Sequence, residues 1–351
     1  MTGLRTGYTT GTCAAAAAKA AATLLCRSTA LAEVEIVLPD QSRATFPVLN
    51  CRNIGDGCEA SVRKDAGDDP DVTDKARITV TVAFVEGNEI LFAAGEGVGI
   101  VTKPGLSLPP GEPAINPVPR QMIRQAVREV TNRGVRVTIS VPGGRELAAR
   151  TFNPRLGVVG GISIIGTSGR VRPFSSAALR DALKCSLDVA AANGVRAPVL
   201  VPGNIGERAA RKNFLLSAEQ IVQVSNQWGF MLEQFAERDF PRLMVLGHPG
   251  KLAKLVEGHW DTHSSQSPNA VPIVARLAEA ALSHRLPEST TVEGVFESLS
   301  TEEQRKLADA LAAKVRSTIA ERLTKQCEIA VVLINLTGNI LGHDGDLKPW
   351  T

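Results

Sequence analysis

Residues 13 to 19 read Cys13, five consecutive alanines and Lys19, and the run before them is Leu4-Arg5-Thr6-Gly7-Tyr8-Thr9-Thr10-Gly11-Thr12. Alanine is the strongest helix former, so a helix is fixed here. Thr12 is placed to cap a helix that starts near Cys13. Two readings of this start are open. It is a well-capped buried helix, or the N–H groups of its first turn and the dipole behind them receive an anion. Arg5 would add a fixed positive charge to the second.

The chain has 351 residues, long for one core and natural for two domains. Hydrophobic residues make up 44% and aromatics only 4%, so the cores must be aliphatic and alanine-rich. A net charge of +3, one tyrosine and ten phenylalanines supply neither a basic stripe nor stacking platforms, which excludes nucleic acid as a partner. The six cysteines, Cys13, Cys26, Cys51, Cys58, Cys185 and Cys327, show no CxxC spacing. Free thiols in a reducing cytoplasm are expected. The alanine run lacks a basic segment before it and is interrupted by Lys19, so it is not read as a secretion signal. No stretch reaches the roughly 18 apolar residues of a membrane span.

The two halves differ in rhythm. The first predicts a helix over 13–25, strands over 33–38 and 44–49, strands over 77–85 and 89–94, an amphipathic helix over 119–132, and strands over 135–141 and 157–166. Antiparallel strands with two helices suggest an α+β domain. The second half predicts helix 175–193, strand 198–201 and a helix after Gly203. It continues with helix 226–238, strand 242–246, helices 251–257, 271–284 and 301–323, and a last strand 328–336. Short apolar strands followed by helices imply a small, mainly parallel sheet in a doubly wound α/β domain. The boundary is set near Pro173, giving domains 1–173 and 174–351. Ligands of such sheets bind beyond the carboxyl ends of the strands. The candidate cofactor contacts are therefore Gly203, Asn204, Gly206 and Glu207, then Gly247 and Gly250, with Thr337-Gly338-Asn339 as a weaker third loop. No G-x-G-x-x-G fingerprint occurs there, which argues against a standard NAD site.

Five blocks resemble one family in order along the chain. They are the 4–19 run, Lys64-Asp65-Ala66-Gly67-Asp68-Asp69-Pro70-Asp71-Val72-Thr73, and segments 95–105, 152–175 and 246–255 with its sequel 261–270. Together they resemble the cobalt-precorrin-5B C1-methyltransferases of anaerobic cobalamin biosynthesis. The resemblance implies an α+β domain followed by a Rossmann-like one, S-adenosylmethionine as methyl donor, and a cobalt-corrinoid substrate with several carboxylate arms. Cobalt belongs to that substrate, so no protein metal site is implied.

Carboxylate arms ask for arginine forks and hydroxyls. In glycine-rich or turn contexts the candidates are Arg5, Thr9, Thr10, Thr12, Lys103, Arg120, Arg155, Thr167, Ser168, Arg170 and Arg172. The glycines of Gly95-Glu96-Gly97-Val98-Gly99 would let the backbone lie flat under a large planar ligand. Methyl transfer needs no nucleophilic side chain, only a base if the ring must lose a proton. His248, Asp261, His263 and Asp65 are the candidates, with Asp68 and Asp69 beside the last. His259 and His263 are four apart, but their segment reads as a loop rather than a zinc helix. Two further readings stay open: a nucleotide-dependent oxidoreductase or kinase, and a non-catalytic tetrapyrrole carrier. The oligomeric state is left undetermined, a homo-oligomer included.

Overall fold

A computed structural model describes residues 3–284, 288–323 and 325–351. The chain divides into two compact units, Met1–Ala178 and Leu179–Thr351.

The first unit opens with the short strand β1 (Gly7–Tyr8) and the alanine helix α1 (Thr10–Arg27). Strands β2 (Glu33–Val37), β3 (Arg43–Pro47), β4 (Asn50–Ile54), β5 (Gly57–Arg63), β6 (Arg77–Phe84), β7 (Ile90–Ala94) and β8 (Ile100–Val101) follow. Then come α2 (Pro117–Arg128), β9 (Val135–Ser140), the short helices α3 (Gly144–Ala148) and α4 (Asn153–Leu156), and the short strands β10 (Val158–Val159) and β11 (Arg170–Val171). The main sheet has the order β4-β5-β6-β9-β7, and only the β7–β9 pair is parallel.

Helix α1 lies in the core with Ala14–Ala18 and Ala20–Ala22 wholly excluded from solvent. Alanine makes this possible: without bulk on any side, the helix is covered all round by the sheet and by α2. Within the alanine run Lys19 reaches out, donating to Glu35 O at 2.7 Å and to Glu129 Oε2 at 2.5 Å. Helix α2 buries the stripe expected of it, Met122, Ile123, Ala126 and Val127.

Two readings of this half need correction. The sequence reading passed over the β4–β5 hairpin, because the outward residues of β4 are polar and hide its alternation. Its two-residue turn is marked by Gly55 at φ +47°. The strand expected over 157–166 shrinks to Val158–Val159, and the rest makes single bridges, Val98 to Ile162 and Ile115 to Ile164.

The second unit contains most of α5 (Ser176–Ala192), then β12 (Val199–Val201), α6 (Asn204–Asn213), β13 (Ile221–Gln223), α7 (Trp228–Ala236), β14 (Arg242–Gly247) and α8 (Pro249–Val256). Helices α9 (Val271–Leu282), α10 (Val292–Glu297) and α11 (Thr301–Arg322) precede β15 (Glu328–Ile334) and β16 (Ile340–Asp344). The sheet order is β13-β12-β14-β15-β16. The first four strands are parallel and β16 runs antiparallel to β15, so the sheet is mixed. Both faces are buried, as parallel strands require. Val199, Val201, Met244, Leu246 and Val332 meet Ala209 and Ala210 of α6. Leu200, Val245 and Val331, which alternate with them, are equally inaccessible. The last strand ends at Ile334, two residues earlier than expected. Thr337-Gly338-Asn339 is the hairpin turn into β16, with Gly338 at φ +82° and Asn335 Oδ1 accepting from the N–H groups of Thr337 and Asn339.

Candidate functional site

Three of the resembling blocks converge in the first unit. Strand β1 pairs with β11, Gly7 opposite Val171 and Tyr8 opposite Arg170, while Thr6 bridges to Gly67. Arg5 N–H donates to Asp68 Oδ2 at 2.6 Å, Asp68 N–H donates to Arg5 O at 3.0 Å, and Asp69 Oδ1 accepts from the N–H of Phe174 at 2.9 Å. Arg5, Thr9, Thr10, Thr12, Asp65, Thr167, Ser168, Arg170 and Arg172 thus share one junction.

The start of α1 is not the anion site that its sequence offers. Thr9, not Thr12, is the N-cap, its hydroxyl accepting from Thr12 N–H at 3.2 Å. The sequence reading placed the cap three residues late because every position from 9 to 12 except Gly11 has a hydroxyl. Thr12 lies inside the helix and donates its hydroxyl to Gly169 O at 2.6 Å. Gly11 N–H donates to Ile165 O, and Thr10 Oγ1 accepts from Ile165 N–H at 2.9 Å. Backbone carbonyls of the 165–169 segment take the place of an anion, and the three threonines are buried. The N–H groups of Gly11 and Thr12 are therefore not free.

The charges at this junction are also partly spent. Arg5 grips Asp65 with two bonds of 2.5 and 2.9 Å. The guanidinium, helped by Gly67 N–H, holds the Asp65 carboxyl down at about 2. A carboxylate stabilised in that way is a poor proton acceptor. Arg170 lies over Tyr8, donates to Ser42 Oγ at 3.1 Å and faces Asp40 at 3.8 Å. Ser168 Oγ closes a local turn with Arg170 backbone. Thr167, Ser168 and Arg172 are exposed, and Arg172 bears no ion pair among the described residues.

The other basic candidates lie apart. Arg120 is spent on Ile115 O at 2.7 Å, Pro113 O and Glu112 at 2.8 Å, and it covers Phe92. Lys103 lays its stem over Gly157, two residues from Arg155, which stands over Phe152.

The glycines of 95–99 do not form a floor for a ligand. A Cβ at Gly97 would lie 2.0 Å from Val141 O, one at Gly99 2.4 Å from Val158 Cγ1, and one at Gly161 2.1 Å from Gly97 C. These glycines let protein backbones cross. Beside the crossing, a hollow of about 390 Å³ is lined by Gly95, Glu96, Gly143, Arg145 and Glu146 among others.

The second unit presents a different geometry. Strand β12 lies between β13 and β14, so the connections leaving β12 and β14 part in opposite directions. Ligands of open α/β sheets occupy the crevice at this switch point, outside the carboxyl ends of the strands. The loops there touch: a Cβ at Gly247 would lie 2.9 Å from Pro202 Cδ. Gly206 packs α6 on the sheet, its Cβ position 2.9 Å from Val201 Cβ. Gly203 is unlike both. A Cβ there meets nothing within 4 Å, and no side chain caps α6.

Polar groups frame this opening. Gln223 Nε2, at the end of β13, donates to Asn204 Oδ1 at 2.9 Å and Glu207 Oε2 at 2.7 Å. Ser225 holds φ +54° in the next loop. Asn226 Oδ1 accepts from Lys251 Nζ and from Thr262 Oγ1. Burial pushes the Lys251 ammonium below its ordinary range. Gln227 links Arg180 at 2.7 Å to Asp261 at 3.1 Å. The sequence reading missed Gln223, Asn226, Gln227 and Lys251, because β13 has only three residues and leaves no apolar run to mark its end.

His248 is a cap, not an open base. Its Nδ1 accepts from Gly250 N–H at 3.0 Å and its Nε2 lies 2.7 Å from Glu293 Oε2, which assigns the proton to Nε2. His263 is exposed and bonds through Nδ1 to Ser265, and its backbone N–H donates to Asp261. His259 Nε2 is 3.9 Å from Glu257. Among the described residues no group of three His, Cys, Asp or Glu side chains is placed to hold a metal, the cysteines are free thiols, and no helix is long and apolar enough to cross a membrane.

Comparison with known proteins places these features in a family. Residues 1–173 match the family described as CbiD, and residues 261–345 match the CbiD C-terminal domain. A protein of Syntrophotalea carbinolica is 55% identical over 350 residues, covering 100% of both chains. One of Moorella thermoacetica is 43% identical, covering 97% of this chain and 95% of that one. One of Methanocaldococcus jannaschii is 40% identical, covering 96% and 95%. All three bear the name cobalt-precorrin-5B C(1)-methyltransferase. A crystal structure of a cobalamin biosynthesis protein (cbiD) from Archaeoglobus fulgidus is 28% identical, covering 74% of this chain and 82% of that one, with a TM-score of 0.41.

Proposed function

This chain belongs to the CbiD family, and on that premise we propose that it methylates carbon 1 of cobalt-precorrin-5B in anaerobic cobalamin biosynthesis, with S-adenosylmethionine as donor. The observation that carries the reading is the match to a methyltransferase of that name at 55% identity from end to end.

In this reading the first unit serves the substrate and the second, with its mixed, mainly parallel sheet, serves the donor. The switch point fits such a group, because Gly203 leaves room beside a helix start and the hydrogen-bonded side chains of Asn204, Glu207, Gln223 and Asn226 give it a polar frame. When bound, S-adenosylmethionine supplies an electrophilic methyl group. The chain's own task is positioning, since holding reactants in line accounts for as much as about 7–11 kcal/mol of a barrier. Arg172, Thr167 and Ser168 are the exposed groups of the first unit proposed to engage carboxylate arms, with Lys103 and Arg155 as a second basic pair. Thr9, Thr10 and Thr12 contribute by shaping the loop that carries them. Asp65 and His248 are withdrawn from proton transfer by Arg5 and by the α8 cap, which leaves Asp261 and His263 as the proton-accepting candidates.

The test is anaerobic incubation with cobalt-precorrin-5B and methyl-labelled S-adenosylmethionine, read by mass spectrometry and carbon NMR. Label at ring carbon 1 supports the reading. Pigment that is bound but never labelled supports the carrier alternative.

A further inference from the structure

Phe174 combines three properties that rarely meet in one residue. Its side chain is 73% exposed. Its backbone holds φ +55°, a conformation that bulky residues adopt only when their surroundings impose it. It is also fastened, because its N–H donates to Asp69 Oδ1 at 2.9 Å. The neighbouring Asp68 exchanges bonds with Arg5, so the same ties that lock β1 to the 65–69 loop also fix the backbone that carries this ring. A loose surface residue needs none of this, and a glycine would satisfy the backbone without strain.

The segments tied together at this junction also present apolar surface. Leu4, beside Arg5, is 60% exposed, and Ile165, bonded to the start of α1, is 50% exposed. Arg172 stands two residues away in sequence, exposed and without an ion pair among the described residues. Apolar surface, a presented aromatic face and an unspent cation complement a flat conjugated molecule with acidic arms.

We propose that Phe174 is a substrate-binding platform, on which the conjugated face of the tetrapyrrole rests while Arg172 takes one of its carboxylates. This rests on the functional reading above and names a contact within it.

Phe174→Gly and Phe174→Trp in the full chain separate binding from folding. Cobalt-precorrin-5B is titrated anaerobically and followed by its absorbance, S-adenosylmethionine affinity is measured by calorimetry, and Tm is recorded. The expected result for Phe174→Gly is a Kd for the pigment raised about tenfold, with Tm equal or higher and donor affinity unchanged. Phe174→Trp, which keeps an aromatic face, restores pigment binding. A Phe174→Gly protein that binds the pigment as wild type does, when wild type methylates it, overturns the proposal and leaves the functional reading standing. Wild type that neither binds nor methylates the pigment overturns both.

Discussion

The starts of α1 and α6 look alike in sequence and differ in the fold. Each begins among small or turn-forming residues, Thr9-Thr10-Gly11 in one case and Pro202-Gly203-Asn204 in the other. The α1 start is sealed. Thr9 caps it, and the carbonyls of Ile165 and Gly169 take Gly11 N–H and the Thr12 hydroxyl. The α6 start has no side-chain cap, and the space over Gly203 is open. A capping signal therefore reports a helix end, while a segment distant in the chain, 155 residues away for α1, decides whether that end is closed by protein or left open.

The sharpest way to break this comparison concerns glycines that only look like ligand floors. Gly97→Ala places a Cβ 2.0 Å from the backbone oxygen of Val141, which cannot step aside as a side chain would. A stability loss of about 3 kcal/mol or more is expected by denaturant titration. An unchanged midpoint would mean that the crossing is looser than described.

Next comes charge. Arg172→Glu removes an exposed cation and should raise the substrate Kd about tenfold, by analogy with charge-assisted bonds worth roughly 1.5–3 kcal/mol, while donor affinity stays put. Equal loss of both would point to misfolding instead.

A smaller effect tests the sealed start. Thr12→Val deletes a buried hydroxyl that donates to Gly169 O and faces Thr9 Oγ1 at 2.9 Å, while Gly169 O keeps the N–H of Thr9. A loss of about 1–2 kcal/mol is expected, with donor affinity unchanged.

The smallest effect is in pH. Asp65 is depressed from 3.8 to about 2 by Arg5, so its contribution is complete above 3.8 and is lost as pH falls through about 2. The pair is half exposed, so the step is shallow. Arg5→Ala should flatten the acid-unfolding curve in that window only.

What was legible in the sequence follows from periodicity. The alanine run, the stripe of α2 and the apolar strands β14 and β15 carry their patterns locally and were placed within a few residues. The polar strand β4, the three-residue β13 and the antiparallel β16 were not, because short or edge strands derive their register from partners rather than from pattern. The site was less legible for the same reason. Residue types pointed correctly to turns and charged groups, but Arg5 and Asp65 are 60 residues apart and neutralise each other, and Arg120 is spent on its own loop. Gly206 and Gly247 pack against Val201 and Pro202, so Gly203 is the one of the three that presents open space.

The central claim is that the second unit leaves open the kind of helix start that the first unit seals. It is tested most directly by titrating S-adenosylmethionine into wild type, Gly203→Val and Thr12→Val by calorimetry. The account predicts that Gly203→Val loses donor binding with its Tm preserved, while Thr12→Val binds normally at a lowered Tm. Normal donor affinity in Gly203→Val, or its loss in Thr12→Val, would contradict it.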